Sequence, residues 1–296
     1  IVIHGNGGSL VKETMSYLDV TWVEQKQQLG TGHAVLKALP YCRDSDQILV
    51  LYGDVPLTPV RLLKQLLQDS PPHGVGLVAT VLKDASGFGR IVRNELGNIV
   101  AIVEHKDASD AQLEIKEINT GILTAEAQYL KTTLPLLTDD NLQKEYYLTD
   151  IVSRAVADGI PVGGILAHEP QEVLGVNDRW QQAKLERFYQ YSKAKYFSLR
   201  GVSIADFQRV DFRGDVDIDI DTFVDINCVF EGTVRVGKHC RIGANVLLKN
   251  TTVADGVTIL PNSVVDGATI ETQAVIGPFA RIRPQTHIGS QAKVGN

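Results

Sequence analysis

Ile276-Gly277-Pro278-Phe279-Ala280-Arg281 and Ile288-Gly289-Ser290-Gln291-Ala292-Lys293 are two segments of one kind, and Ile282 begins a third between them. With Val294, these aliphatic residues recur every six positions. The period predicts a left-handed parallel β-helix built from hexapeptide repeats, in which each segment turns one aliphatic side chain inward and stacked coils bury them in a column. The turns are expected to use Gly, Asn or Asp. An ordinary β-sandwich is the alternative, but it does not require this period.

The same spacing extends back towards residue 215, where Val236 pairs with Ile242 and Val253 with Ile259. Before about residue 175 the chain instead alternates short apolar runs with helical patterns, as α/β folds do. Ile48 to Tyr52 lacks alternation, which is typical of a central strand buried on both faces. The other predicted strands are Gly74 to Val81, Ile118 to Thr124, and a hairpin of Arg90 to Val92 with Asn98 to Val103.

Residues 178–199 are predicted to form a long helix. Asn177 or Asp178 is positioned to cap its start. The apolar stripe at helical spacing consists of Leu185, Phe188, Tyr189, Ser192, Tyr196 and Leu199. The expected organisation is therefore a first domain over 1–177, a connecting helix over 178–200, and the β-helix over 201–296.

The composition excludes some classes of function. Across 296 residues the net charge is -6, so the field of the protein does not favour nucleic acid as a partner. The apolar runs are too short to cross a membrane. Cys42, Cys228 and Cys240 have no metal-ligand spacing and are read as buried reduced thiols, which suits the cytoplasm. Because the chain opens on the core-like strand Ile1 to Gly5 and its last coil has no polar cap, residues are expected to be missing at both ends.

Asp54 follows directly on the run that ends in Tyr52-Gly53. Ligands of open α/β sheets bind at the carboxyl ends of strands. A carboxylate in that place suits Mg²⁺, which takes one or two protein oxygens and completes its shell with water and phosphates. The alternative is a turn aspartate that bonds its own backbone.

Two glycine-containing loops are candidate binding segments. Gln28 to Ala34 opens a helical pattern, and its glycines would let backbone N–H groups approach a ligand, although a plain helix start explains them equally well. His33 in this segment is interpreted as a packing residue. Ser86 to Ile91 places two glycines around an aromatic residue, which indicates either a backbone close to a ligand or a tight entry to the hairpin.

Three further polar positions have a functional and a structural interpretation. Glu104 to Asp107 follows a strand and is either part of a site or a solvated charge cluster. Asn119 lies inside an apolar strand and must find hydrogen bonds, from a ligand or from the protein. Asn177 either binds a ligand or only caps the long helix.

Together, and in this order, the motifs resemble those of the bacterial bifunctional N-acetylglucosamine-1-phosphate uridylyltransferase / glucosamine-1-phosphate N-acetyltransferases. The resemblance covers the whole chain and implies a Rossmann-like nucleotidyltransferase domain before the β-helix. The segments that carry it are residues 27–34, 51–57, 87–91, 102–107, 117–122, 145–150, 175–177 and 276–281.

The resemblance also implies roles for single residues. It assigns the uracil to Gln25, Gly30 and Thr31, and one wall of the cleft to Tyr52 and Gly53. It assigns Mg²⁺ to Asp54 and Asn177, the N-acetylglucosamine to Gly89, Glu104 and Asn119, and a place in the acetyltransferase site to Arg283.

The implied reaction joins UTP and N-acetylglucosamine 1-phosphate to give UDP-N-acetylglucosamine and pyrophosphate, a step towards peptidoglycan and lipopolysaccharide. The full-length protein would also acetylate glucosamine 1-phosphate from acetyl-CoA and would be a homotrimer. This chain lacks the glycine-rich loop, the phosphate-binding lysine and the acetyltransferase histidine of that family. Its uridylyltransferase site is therefore expected to be incomplete and its acetyltransferase inactive.

Two alternatives remain open at this point. The chain is either another pyrophosphorylase with a β-helix tail, such as one for ADP-glucose or dTDP-glucose, or a trimerisation or regulatory module whose first half is inert. Nucleotide preference at Gln25 to Thr31 separates the first alternative, and the effect of Asp54→Ala separates the second.

Overall fold

The computed structural model describes residues 1–295, which fold as two compact units. The first unit comprises Ile1–Asn177, and the second begins at Asp178. The long helix is part of the second unit. Each unit has its own core of buried apolar side chains.

The first unit is a mixed α/β structure with helices on both faces of a sheet. Short 3₁₀ helices cover Leu39–Tyr41, Leu134–Leu136 and Pro170–Glu172. Its helices are α1 (Gly8–Thr14), α2 (Thr31–Ala38), α3 (Val60–Asp69), α4 (Asp110–Leu113), α5 (Ala127–Thr133) and α6 (Asp150–Ala157). Its strands are β1 (Val2–His4), β2 (Trp22–Glu24), β3 (Gln47–Val50), β4 (Val75–Val81), β5 (Arg90–Arg93), β6 (Ile99–Val103), β7 (Glu117–Glu126) and β8 (Val162–Leu166).

The main sheet of this unit is ordered β6-β5-β7-β4-β8, with β3 paired to β7. The strand β4 runs parallel to β8, and the remaining pairs are antiparallel. A separate parallel pair joins β1 to β2. These strands confirm the predicted hairpin and the two predicted strands before and after it.

The centre of the sheet is β4, whose first six residues are buried. Leu77 faces a cluster that includes Leu130 of α5 and Ile151 of α6, whereas Val78 faces Leu62 of α3. Since side chains alternate across a strand, neighbouring residues of β4 anchor helices on opposite faces. The helices packed on both faces hold the sheet in place, and with it the strands and turns that carry the candidate residues.

The prediction of a central strand over Ile48 to Tyr52 was wrong. The strand β3 ends at Val50, its residues are exposed or half-buried, and Leu51 is 49% exposed. Within residues 1–295 β3 pairs with β7 alone, so one of its edges has no neighbouring strand to cover it. An apolar run identifies a strand, but it does not report how many neighbours that strand has.

The second unit is a parallel β-helix, as the six-residue period predicts. Its strands are β9 (Ser203–Ile204), β10 (Val210–Arg213), β11 (Val216–Ile218), β12 (Phe223–Val224), β13 (Cys228–Glu231), β14 (Val234–Val236), β15 (Arg241–Ile242), β16 (Leu247–Lys249), β17 (Thr252–Val253), β18 (Thr258–Ile259), β19 (Val264–Asp266), β20 (Thr269–Ile270), β21 (Val275–Ile276), β22 (Arg281–Ile282), β23 (His287–Ile288) and β24 (Lys293–Val294). They form three parallel sheets.

Register partners in the coils lie either 18 residues apart, as Val210 and Cys228 do, or 17 apart, as Leu247 and Val264 do. A coil is therefore three hexapeptides, sometimes with one residue fewer. The predicted inward residues are confirmed: Ile276 is fully buried, and the others are buried except for Val294, which is half-buried.

The corners of the coils place one residue each in the left-handed backbone region, where Gly and Asn are least strained. Asn227, Asn245 and Asn262 do so at one corner, as expected. The expectation that only Gly, Asn or Asp would serve was wrong, because Phe279 at φ 58°, His239 and three glutamines take the same conformation. The stacked coils above and below hold these residues against their intrinsic preference.

The long helix α7 (Arg179–Leu199) is capped by Asp178, whose carboxylate accepts the N–H of Gln181 at 2.7 Å. Asn177 is thus not the capping residue. The predicted stripe was wrong at its C-terminal end, where Tyr196 and Leu199 are exposed. The buried positions in the second half are Gln190, Ala194 and Phe197.

Gln190 is buried because its side-chain amide forms hydrogen bonds with the outer edge of β10, where no further strand among residues 1–295 follows in the sheet. Its Oε1 accepts the N–H of Phe212 at 2.7 Å, and its Nε2 donates to the Phe212 carbonyl at 3.2 Å. A polar side chain at this position satisfies the backbone of β10, which hydrophobic patterning cannot anticipate.

Within the described part of the chain, the helices are either too short or too polar to cross a bilayer. The three thiols are unpaired; Cys228 and Cys240 are buried, whereas Cys42 is half-exposed, contrary to expectation. Burial raises the pKa of the Cys228 thiol to about 11, which makes it an unreactive core residue.

Candidate functional site

The sugar-assigned residues come together where β5, β6 and β7 meet. Asn119 in β7 donates its backbone N–H to the Gly89 carbonyl at 2.8 Å. A Cβ on Gly89 would lie 3.3 Å from both carboxylate oxygens of Glu104. The hairpin therefore brings Gly89, Glu104 and Asn119 to one place, as the resemblance implies.

Glu104 is half-buried, and its Oε1 accepts a hydrogen bond from the Thr149 hydroxyl at 3.0 Å. Burial raises the pKa of this carboxyl above its ordinary value, and the nearby carboxylates of Asp150 and Asp107 add to the effect, while Thr149 opposes it. Thr149 itself is buried. The hydroxyl thus holds in place a carboxylate that its surroundings disfavour in the charged form.

Asn119 uses part of its amide inside the protein. Its Oδ1 accepts the N–H of Gly121 at 3.1 Å, while Nδ2 donates to no acceptor among residues 1–295. Of the two expected sources of hydrogen bonds, the protein supplies the partner of the oxygen, and a ligand bond to the nitrogen stays a prediction.

Tyr52 joins the sugar-assigned group to the remaining residues. Its ring lies against Gly121, where a Cβ would be 2.3 Å from the ring and where φ is 82°, so both space and backbone require glycine. Burial, with Glu104 and Asp54 nearby, raises the pKa of Tyr52 to about 12, although a hydrogen bond with the Thr31 side chain lowers it. The phenol stays neutral at physiological pH, bonds the assigned residue Thr31, and lies near the carboxylates of Glu104 and Asp54.

The uracil-assigned residues lie where β2 leads into α2. Gly30 precedes α2 with φ 106°, and a Cβ there would be 2.6 Å from the Tyr146 carbonyl. The Thr31 hydroxyl accepts the N–H of Leu148 at 3.0 Å, which fixes its side chain. The segment Gly30–Thr31 is thus held by close backbone packing rather than left as a mobile loop.

Gln25 is 9% exposed and makes two hydrogen bonds through its amide nitrogen. Nε2 donates to the Gly30 carbonyl at 3.0 Å and lies 2.9 Å from Nδ1 of His33. The interpretation of His33 as a packing residue was therefore incomplete, because the imidazole contacts a candidate binding residue directly.

The metal-assigned residues are brought together at the turn after β3. Val176 donates its N–H to the Asp54 carbonyl at 2.9 Å, which places the Cα atoms of Asp54 and Asn177 within about 10 Å of each other. A Cβ on Gly175 would lie 3.2 Å from Oδ2 of Asp54. The side chain of Asp54 is exposed and accepts no hydrogen bond from residues 1–295. Gly53 lies exposed in the same turn.

Both side chains offer oxygen atoms, the type of ligand that Mg²⁺ takes, and two protein ligands suffice when substrate and water supply the rest. No group of three or more His, Cys, Asp or Glu side chains in residues 1–295 is arranged to hold a metal ion. The donor set thus suits an ion that shares its ligands with phosphate, and not a closed structural site.

Arg283 belongs to the second unit, where it is exposed between β22 and β23 and its carbonyl accepts the N–H of Thr286. The structure supplies no further contact for the assigned role. It stays a prediction.

Sequence reasoning missed Thr149 and His33 as contacts of the site. Only the resemblance points to the motif Glu145 to Asp150, since this segment has no apolar period and leads from a loop into α6. No local signal ties Thr149 to Glu104, which precedes it by 45 residues. Only the folded chain reveals these pairs.

Comparison with known proteins adds two family matches and several relatives. Residues 1–131 match the family described as MobA-like NTP transferase domain, and residues 212–296 match the GMPPB C-terminal domain. The first match covers β1 to α5, including Gln25, Asp54 and Glu104.

The relatives match along the entire chain. Proteins named "Bifunctional protein GlmU" are 53% identical over 296 residues in Coxiella burnetii (strain CbuK_Q154), where the match covers 100% of this chain and 65% of the relative. In Marinobacter nauticus the identity is 46% over 292 residues, or 99% and 64%, and in Methylococcus capsulatus it is 43% over 297 residues, or 100% and 64%. Over its whole length this chain is therefore a homologue of the bifunctional GlmU proteins, and it spans just under two thirds of their length.

Proposed function

We propose that the first unit carries a uridylyltransferase site that joins UTP to N-acetylglucosamine 1-phosphate and releases pyrophosphate. One observation carries the proposal: the Tyr52 ring packs against Gly121 of β7, its hydroxyl bonds Thr31, and the carboxylates of Glu104 and Asp54 lie near enough to raise its pKa, so candidate base, sugar and phosphate-metal residues adjoin around one side chain. The match of residues 1–131 to the MobA-like NTP transferase domain family supports a nucleotidyl transfer.

For the base, Gln25 presents a polar amide beside the glycine-bounded start of α2. Uracil offers a ring N–H between two carbonyl groups, and a fixed amide oxygen accepts from such a donor. Gly30 lets the start of α2 pack directly against the Tyr146 backbone, because any side chain there would collide with it, and this packing holds the segment beside Gln25 in place.

For the sugar, Glu104 accepts hydrogen bonds from hydroxyl or amide donors, and the free Nδ2 of Asn119 donates to an oxygen of the acetamido group. A site built on half-buried polar groups rejects sugars that leave them unpaired. Glucose 1-phosphate, which lacks the acetamido group, would leave Asn119 without a partner.

For the phosphates, Asp54 and Asn177 would hold the Mg²⁺ ion. The ion would neutralise charge on the phosphates during transfer. Oxygen ligands from two separate loops, tied through the Val176 to Asp54 hydrogen bond, fit this role.

The chain's own residues then act by positioning. The phosphate of the sugar is mostly a dianion at neutral pH, since its second pKa is about 6, and it needs no protein base to attack the α-phosphorus. Tyr52, which is neutral at physiological pH, would line the cleft between base and sugar without adding charge. The work of the site is orientation of two anions, which by itself supplies a large part of the rate.

The direct test is binding to this chain, measured by calorimetry with UDP-N-acetylglucosamine and Mg²⁺. UDP-glucose and omission of the metal are the controls. We expect weaker binding of UDP-glucose and at least a tenfold loss of affinity in Asp54→Ala. Equal binding of the two sugars, or no effect of Asp54→Ala, would contradict the proposal. Turnover should be assayed in a version that carries the glycine-rich segment implied by the resemblance.

We further propose that the β-helix assembles the protein as a homotrimer. The full-length protein would then transfer acetyl groups from acetyl-CoA to glucosamine 1-phosphate, with Arg283 contributing to that site. The word "bifunctional" in the relatives' names supports a second activity. Sedimentation equilibrium tests the trimer, and a monomer at all concentrations would contradict it. Because the thiols are unpaired, we place the protein in the cytoplasm.

Two rival functions remain to be tested against this one. A pyrophosphorylase for ADP-glucose or dTDP-glucose would prefer ATP or dTTP. An inert first unit acting only in trimerisation would bind no nucleotide and would tolerate Asp54→Ala.

A further inference from the structure

We propose that His33 is a positioning residue for base recognition, because its imidazole fixes the Gln25 amide so that only the amide oxygen is available to a nucleotide base. The inference rests on the proposed function and adds to it a reason for preferring a base that carries a ring N–H, such as uracil. It follows from the chemistry of three neighbouring groups.

The first group decides which way the amide points. The Gly30 carbonyl can only accept, so the side of the Gln25 amide that lies 3.0 Å from it must be the nitrogen. The opposite orientation would put two oxygen atoms against each other. The second hydrogen on Nε2 then points to Nδ1 of His33, 2.9 Å away.

The second group decides the tautomer. To accept from Nε2 of Gln25, Nδ1 of His33 must carry no proton. The other ring nitrogen then carries it, and the ring forms a hydrogen bond with the Gln27 backbone, in keeping with a donor to a carbonyl. The bond between Nδ1 of His33 and Nε2 of Gln25 therefore selects the neutral tautomer with its proton on Nε2 of His33.

The third group is the amide oxygen of Gln25, Oε1. Both hydrogens of the Gln25 amide are used, and Oε1 accepts no hydrogen bond from residues 1–295. Gln25 is nearly buried and lines a cavity with His4, Gly5 and Lys26, in which an oxygen acceptor would meet a ligand. A base must therefore bring a donor to this atom.

Uracil meets that demand with its ring N3–H. Cytosine has no hydrogen on N3, and a methyl group on N3 removes the donor from uracil while preserving the remainder of the nucleotide. The arrangement thus favours bases that carry a ring N–H at this edge, which includes uracil and thymine.

Protonation of His33 would reverse the arrangement. A proton on Nδ1 faces the Gln25 amide nitrogen, so the amide must rotate and present hydrogens to the base. Burial first, and then the Lys37 ammonium, hold the pKa of His33 below its ordinary value. Other charged groups beside the ring are Glu24 and Lys26, which line the same cavity. His33 therefore stays neutral at pH 7, and UTP affinity is expected to fall only on acidification.

The experiment compares UTP with N3-methyl-UTP by calorimetry on this chain, in Mg²⁺. His33→Leu removes the acceptor, and His33→Asn retains an acceptor oxygen near the position of Nδ1. We expect the preference for UTP to fall about 5- to 10-fold in His33→Leu, through weaker UTP binding, and to be retained in His33→Asn. The loss of UTP affinity at acid pH should be present in the parent chain and absent from His33→Asn.

The possible outcomes separate the two proposals. Unchanged selectivity in His33→Leu, or an equal loss for both nucleotides, would overturn the role of His33 while leaving the uridylyltransferase proposal intact. Nitrogen-15 spectra that place the proton on Nδ1 would also overturn it, without any ligand. If the parent chain binds neither nucleotide, the proposed function fails and the inference fails with it.

Discussion

The two units differ in the sequence distance between residues that depend on each other. In the β-helix, Asn227 bonds Asn245, 18 residues later, and Asn245 bonds Asn262, 17 residues later, so nearly the same interval recurs from coil to coil. In the first unit, Thr31 bonds Leu148, 117 residues away, in a single contact between two distant segments rather than in a series. A repeated interval determines a fold from local pattern, whereas a site built from single long-range contacts depends on the whole unit.

The largest expected effect comes from the aliphatic column. Ile276 is fully buried and lies in register between Ile259 and Val294 of the neighbouring coils. Ile276→Ala should lower the free energy of unfolding by about 2–5 kcal/mol, because it leaves a cavity that adjacent coils share. Thermal unfolding and chemical denaturation of the variant and the parent chain measure this change in the free energy of unfolding.

The half-buried neighbour Val275 is the matched control, since it lies in the same strand but faces outward. Val275→Ala should cost well under half as much. If the two variants were equally destabilised, the column would not be the source of stability that the period indicates.

In the first unit, the corresponding test substitutes a glycine that packs against Tyr52. Gly121 and Gly97 both have φ 82°, but a Cβ on Gly121 would collide with the Tyr52 ring at 2.3 Å, while one on Gly97 meets nothing within 4 Å. Gly97→Ala should cost about 1 kcal/mol from backbone strain alone. Gly121→Ala should cost about 2–4 kcal/mol, because the clash adds to the strain.

The same pair has a functional readout. Displacement of Tyr52 should abolish UDP-N-acetylglucosamine binding in Gly121→Ala, and Gly97→Ala should bind normally. Normal binding by a folded Gly121→Ala would remove Tyr52 from the centre of the site.

A smaller, pH-dependent effect is expected at Glu104. Its folded-state pKa is raised, so the native state holds the proton more tightly than the unfolded chain. Stability from this group is present at acid pH and is lost as pH rises through the folded pKa. Glu104→Gln should therefore be more stable than the parent at pH 7, by no more than about 1.4 kcal/mol for each pKa unit, with the difference vanishing near pH 4.

That variant should at the same time bind UDP-N-acetylglucosamine more weakly, since it loses the carboxylate acceptor. Urea unfolding at pH 4 and pH 7 measures the first effect, and calorimetry the second. A parent chain more stable than Glu104→Gln at pH 7 would show that Thr149 outweighs burial.

Much of the fold follows from the sequence for a physical reason. Ile276 and the aliphatic residues spaced six positions from it predict the β-helix, because stacking of coils needs only one inward residue per hexapeptide. The hairpin at Arg90 and the strand at Val75 were likewise predicted from local pattern. The exposure of β3 was not, because burial depends on neighbours that the segment itself does not encode.

The site divides in the same way. The predicted residues Gly89, Glu104 and Asn119 do meet, but the prediction used resemblance and not spacing. Thr149 and His33 could not be found from the sequence, since one hydroxyl and one imidazole have no pattern until folding supplies their partners.

The smallest expected effect lies at the exposed corner of the coils. Asn245 has φ 60°, donates to Oδ1 of Asn262 at 3.0 Å and accepts from Asn227 at 2.9 Å. Asn245→Ala loses both bonds and strains the backbone, and should cost about 1 kcal/mol. Asn245→Gly also loses both hydrogen bonds, but glycine adopts the left-handed conformation without strain. This variant should therefore be about 0.5 kcal/mol more stable than Asn245→Ala. If the glycine variant were the less stable of the two, strain at φ 60° would not be the cost that alanine adds, and the left-handed turn would not be what the β-helix requires of its corner residues.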